Sequence, residues 1–249
     1  MIHLGQTRSS MPGNHALLTP DTFVRAPLPG MQRATAIVHA APAMGAAFTQ
    51  YTAEFEAGGY LGPTAAQRFL FVLEGELTVT AGRKRHALQP GGYAYLPDDS
   101  YTVSAVSASR AAVIEKAYLP LKGVRRPKLL IGTEAGAPAA PLMGPQGSDD
   151  WLTVHKLLPE EPAFDFAVNT MTYLPGATLP MVEIHVMEHG LLMLEGGGIY
   201  RLDDCWYPVT AGDFIWMGPY CPQWFGALGK TPAKYLIYKD WNRHPLEAA

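Results

Sequence analysis

The sequence predicts an all-β protein of two tandem antiparallel barrels or jelly rolls, preceded by an N-terminal arm. Three observations predict this. The chain of 249 residues contains Gly 25 and Pro 22, well above the usual ~12% for the pair, so it turns often. Its apolar residues, 48% of the total, fall in short strand-like runs and suffice for a core. Finally, the chain matches itself: Leu73-Glu74-Gly75 recurs as Leu194-Glu195-Gly196, an offset of 121. A period that long reads as a duplicated domain rather than a solenoid.

At the same offset Gly91 meets Gly212, Tyr93 meets Phe214, Tyr95 meets Trp216 and Pro97 meets Gly218. Upstream, the run Ala36 to Pro42 resembles Leu152 to Pro159 at offsets of 116 to 117. Residues 1–33 lie outside the repeat and form the arm. The first barrel occupies 34–122, with Phe69 to Thr80 read as a hairpin around a Glu-Gly turn and Gly91 to Pro97 as a short strand. Residues 123–150 hold Lys, Arg, Ala, Pro and Gly without periodicity and form a linker. The second barrel occupies 151–249. Its strands are His189 to Leu194, Ile199 to Leu202 after a turn at Glu195 to Gly198, Gly212 to Met217 and Lys234 to Lys239.

Composition excludes several classes of function. The net charge is −3 and charged residues are 16%, so no basic surplus points to nucleic acid. No apolar run approaches the ~18 residues of a membrane span. Met1 to Gly30 lacks the apolar stretch of a secretory leader. Cys205 and Cys221 form no CxxC and no disulfide framework, which implies free thiols and a cytoplasmic protein. An arm and few charges imply apolar edges covered by a second copy, hence a homo-oligomer.

The chemistry sits in the second half, in Glu183-Ile-His185-Val-Met-Glu-His189. On a strand, alternation puts Glu183 and His185 on one face, and His189 has the same parity. Ile184, Val186 and Met187 make the strand a buried one, where unpaired Glu and His are costly. Metal ligation explains all three. The order Glu183-x-His185-x3-His189-x6-Gly196, then Gly212-x5-Gly218-x4-Gln223, resembles the two motifs of the cupin superfamily, His-x-His-x3-Glu-x6-Gly and Gly-x5-Pro-x-Gly-x2-His. The resemblance implies a ligand set of Glu183, His185, His189 and Gln223. At offset 121 these positions fall on Gly62, Thr64, Arg68 and Thr102, which form no ligand set, so the first barrel is structural. One carboxylate, two imidazoles and an amide without thiolate suit Mn²⁺ or Fe²⁺, with Zn²⁺, Ni²⁺ or Co²⁺ also admitted.

Longer stretches narrow the resemblance. They are Glu183 to Gly190, Tyr200-Arg-Leu-Asp203, Trp206-x-Pro-Val209, Gly212 to Gly218, Tyr238 to Arg243 and the arm segment Gly13 to Asp21. Together they resemble the (S)-ureidoglycine aminohydrolase family over nearly the whole chain. That resemblance implies a manganese-dependent bicupin of purine (allantoin) breakdown, releasing ammonia from (S)-2-ureidoglycine to give (S)-ureidoglycolate. It implies Tyr200, Tyr235 and Lys239 as substrate-binding residues, with Lys239 and Glu183 catalytic. Tyr235 and Lys239, four apart on a strand, face one side. Burial would lower the Lys239 pKa and ease proton transfer. The first-half counterparts at offset 121, Val79, Ile114 and Tyr118, are not equivalent. Two other readings stay open: another metal-dependent cupin enzyme, an isomerase or oxygenase of a small acid or sugar, and a non-catalytic binding bicupin.

Overall fold

The structure, a computed structural model, describes residues 5–142 and 151–243. The first four residues of the arm, the linker residues 143–150 and the last residues of the second barrel, 244–249, lie outside the described residues. In chain order the strands are β1 (His15–Leu18), β2 (Met31–Ala40), β3 (Thr49–Leu61), β4 (Gln67–Glu74), β5 (Leu77–Ala81), β6 (Lys84–Leu88), β7 (Gly92–Leu96), β8 (Tyr101–Ala105) and β9 (Ser109–Lys116). Next come β10 (Leu130–Thr133), β11 (Ala139–Pro141), β12 (Leu152–Lys156), β13 (Phe166–Tyr173) and β14 (His189–Glu195). The last are β15 (Gly197–Leu202), β16 (Cys205–Thr210), β17 (Phe214–Met217), β18 (Gln223–Ala227) and β19 (Ala233–Asp240). The all-β prediction holds. No helix among the described residues is long and apolar enough to cross a membrane.

The strands form two compact units. The first holds the described residues of 24–137, 157–165 and 242–249; the second holds those of 1–23, 138–156 and 166–241. Each therefore includes a segment from the other half of the chain, whereas the boundaries drawn from the sequence are continuous. The predicted linker contains β10, which pairs with β7, and β11, which pairs with β12.

In the first unit one sheet runs β10-β7-β4-β9-β3-β8-β5-β6, with β2 also on β3. Its inner face buries Tyr51, Leu70, Val72, Val79, Leu96 and Val113. In the second unit a seven-stranded sheet, β1-β17-β14-β19-β13-β12-β11, faces a three-stranded one, β16-β15-β18. Leu17, Leu191, Ile215 and Ile237 from the first meet Leu202, Val209 and Phe225 from the second. The arm is part of this unit, because β1 pairs with the edge of β17. Arg8 donates from both terminal nitrogens to the buried Asp213 carboxylate, at 2.7 and 2.8 Å.

The two Glu-Gly turns do not close hairpins. β4 pairs with β7 and β9 while β5 pairs with β6 and β8. Likewise β14 pairs with β17 and β19 while β15 pairs with β16 and β18. At Gly75 (φ +78°) and Gly196 (φ +62°) the chain crosses between the walls of its barrel. A Cβ on Gly75 would run into the Ala108 carbonyl, and one on Gly196 into that of Pro232. Only glycine meets both demands.

Candidate functional site

The segment expected to be a strand from Glu183 to His189 is mostly irregular. Glu183 forms an isolated bridge to Gln223, its N–H and carbonyl exchanging bonds of 2.8 and 3.0 Å, and β14 begins only at His189. Pro175 and Pro180, just upstream, supply no N–H to a ladder. The alternation survives without the ladder: Glu183, His185 and Met187 are half-buried, while Ile184 is 61% and Val186 41% exposed. The expected buried strand is thus corrected to a segment with one inward face, because nothing in the unit covers its outer side.

The inward face meets the ends of three strands. Nε2 of His185 lies 3.3 Å from Nε2 of His189, 2.9 Å from the side-chain nitrogen of Gln223 and 3.8 Å from Oε2 of Glu183. All four residues named from the sequence are therefore brought together around His185. His189 Nδ1 donates to the Tyr238 carbonyl at 3.1 Å, which leaves a lone pair on Nε2. Burial first, then the neighbouring His185, pushes the His189 pKa down to about 3, so the ring is neutral at ordinary pH. Glu188 holds the entrance to β14 by accepting from Trp216 Nε1 at 3.1 Å.

These residues fit a divalent ion in their chemistry: two imidazole nitrogens, a carboxylate, and an amide whose oxygen turns inward by a simple flip. His189 has the backbone-anchored ring usual for a ligand, whereas His185 Nδ1 is buried without a hydrogen-bond partner. Among the described residues no trio of His, Cys, Asp or Glu is gathered tightly enough to hold an ion by itself. The cluster includes an amide, and its carboxylate stands at 3.8 Å.

Lys239 lies directly across the β14–β19 ladder from His189, and Tyr235 from Met193. The Lys239 ammonium sits 4.1 Å from the centre of the Trp241 ring, a cation–π contact that restrains it. Tyr200 and Tyr235 are buried, with rings 5.4 and 5.8 Å from that of Phe225. A third tyrosine, Tyr173, joins them: its hydroxyl is 2.6 Å from that of Tyr235. Burial is the main cause that raises all three phenol pKa values well above the ordinary value, and the charge of Glu183 adds to it. The hydroxyls stay protonated and able to donate. Sequence reasoning missed Tyr173; its inward parity with Met171 on β13 was the available signal.

The first unit fills the equivalent place differently. Arg68 pairs with Leu96 as His189 pairs with Met217, both shifted by 121. Arg68 also pairs with Glu115 as His189 pairs with Lys239, an offset of 124. The counterparts of Lys239 and Tyr235 are therefore Glu115 and Ala111, not Tyr118 and Ile114, because the second half has a longer path between β17 and β19. By the same registers Gln223 answers to Tyr101 rather than Thr102. The Arg68 guanidinium bonds Glu115 at 2.7 Å and the Gly62 carbonyl at 2.9 Å, and Tyr51 donates to Glu115 at 2.9 Å. A fixed organic cation occupies the interior where the second unit gathers its lone pairs.

Comparison with known proteins agrees with this layout. The EutQ-like cupin domain matches residues 43–118 and the cupin domain residues 169–238. A protein of Arabidopsis thaliana named (S)-ureidoglycine aminohydrolase is 41% identical over 97% of this chain and 80% of its own length. One of the same name from Escherichia coli (strain K12) is 34% identical over 93% of this chain and 90% of its own. The crystal structure of protein Ylba from E. coli superposes with a TM-score of 0.83 at 32% identity, covering 96% of each chain.

Proposed function

The chain belongs to the (S)-ureidoglycine aminohydrolase family, and from that premise we propose that it hydrolyses (S)-2-ureidoglycine to ammonia and (S)-ureidoglycolate. One observation carries the reading to this chain: Glu183, His185, His189 and Gln223 converge, with Lys239 directly across the ladder from His189 and two buried tyrosines, Tyr200 and Tyr235, that feel the charge of Glu183.

In this reading Glu183, His185, His189 and Gln223 hold a divalent ion, Mn²⁺ as the family resemblance implies and the donor set admits. When bound it supplies Lewis acidity and orients the substrate. The chain's own residues do the rest. Tyr200 and Tyr235 donate to substrate oxygens. The Lys239 ammonium, restrained on Trp241, gives a proton to the departing amine as its C–N bond breaks. Glu183 takes a proton from the water that supplies the new C–O bond. Holding these groups in one place removes much of the orientational cost of the reaction. The reading also includes a cytoplasmic location and a homo-oligomer, the latter supported by the exposed apolar residues Met181, Val182 and Ile184. Light scattering that finds a monomer would remove that part.

The test is direct. Purified protein loaded with Mn²⁺ is given freshly generated ureidoglycine, and ammonia and the chirality of the product are measured. Ammonia above the spontaneous rate together with (S)-ureidoglycolate is expected. Ammonia at the spontaneous rate overturns the reading.

A further inference from the structure

The hydroxyls of Tyr173 and Tyr235 are 2.6 Å apart, and the two residues are 0% and 1% exposed. Each phenol has one proton to give. The Tyr173 ring stands edge-on to Phe225 at 4.9 Å and tilted against Tyr235 at 5.5 Å, and Tyr235 is itself edge-on to Phe225 at 5.8 Å, so packing fixes both rings. A hydrogen bond between two such hydroxyls in a dry core fixes both of them, and removing one leaves the other without that partner, which is costly.

We propose that Tyr173 is a positioning residue: the hydrogen bond between the two hydroxyls holds the Tyr235 phenol in the orientation in which it meets the substrate. This deepens the ureidoglycine reading and rests on it for the assay.

The experiment compares wild type, Tyr173→Phe, Tyr235→Phe and the double variant. Tyr173→Phe keeps the ring and removes only the hydroxyl. It is expected to raise KM for ureidoglycine about tenfold while kcat changes less than about twofold, the loss of one ordered hydrogen bond to substrate. Metal content and thermal midpoint stay at wild-type values. The double variant is no worse than Tyr235→Phe, since Tyr173 acts only through Tyr235. Affinity for ureidoglycolate, measured on the same proteins, follows the same order without turnover. Wild-type kinetics in Tyr173→Phe, or strict additivity in the double variant, overturns the inference while leaving the reaction assignment intact. A wild-type chain that neither releases ammonia nor binds ureidoglycolate overturns the reading and the inference with it.

Discussion

Lys239 and His189 come from strands 50 positions apart, yet a single antiparallel register makes them direct neighbours. That register lets each side chain be tested for a separate role. Lys239→Met keeps the length of the side chain and removes the charge. Turnover is expected to fall at least ~100-fold, the usual weight of a positioned acid, while elemental analysis finds the same metal content. His189→Ala should instead lose bound metal, with circular dichroism unchanged. Normal metal content in that variant would remove His189 from the ligand set. At this scale the sequence was informative where period two suffices: Glu183 and His185 share a face even though the expected strand is absent. It was silent on Tyr173, because parity says that a tyrosine points inward but not which hydroxyl it will meet.

Among the elements, the arm is held by unusual chemistry for a terminal segment. β1 hydrogen-bonds to β17, and Asp213, fully buried, receives two bonds from Arg8 and one from the Thr210 N–H at 2.9 Å. Arg8→Ala leaves that carboxylate with its backbone donor alone, one of its three hydrogen bonds. The expected loss is about 2 kcal/mol, discounted for the exposure of Arg8, and a urea midpoint measures it. Gly196→Ala should cost about 2 kcal/mol or more, since both φ and the Pro232 carbonyl oppose a Cβ. An unchanged midpoint would mean that the crossing relaxes. These crossings were misread as hairpins for a clear reason: a Glu-Gly turn between two apolar runs looks the same whether the next strand folds back or passes to the opposite wall. The arm's partner was equally hidden, because pairing between distant strands leaves no local signature.

Over the whole molecule, duplication is visible in the repeat itself, and so is the absence of the Glu-His-His-Gln cluster from one copy. Hidden from the sequence was what stands in its place. A constant offset misses the drift from 121 to 124 and with it the match of Glu115 to Lys239. With Arg68 and Glu115 paired inside the first unit, metal analysis should find one ion per chain rather than two. Glu115→Ala strands a guanidinium whose side chain is only 4% exposed. It should destabilise the protein by about 3 kcal/mol, with kcat/KM unchanged at temperatures well below the melting transition.

The latch between Arg8 and Asp213 spans 205 residues of sequence. On a ribosome adding ~5–20 residues per second, the arm emerges roughly 10–40 s before its partner strand exists. Throughout that interval β1 is an unclaimed apolar edge on a nascent chain. The seven-stranded sheet thus cannot close on its arm until a segment made 205 residues later has emerged.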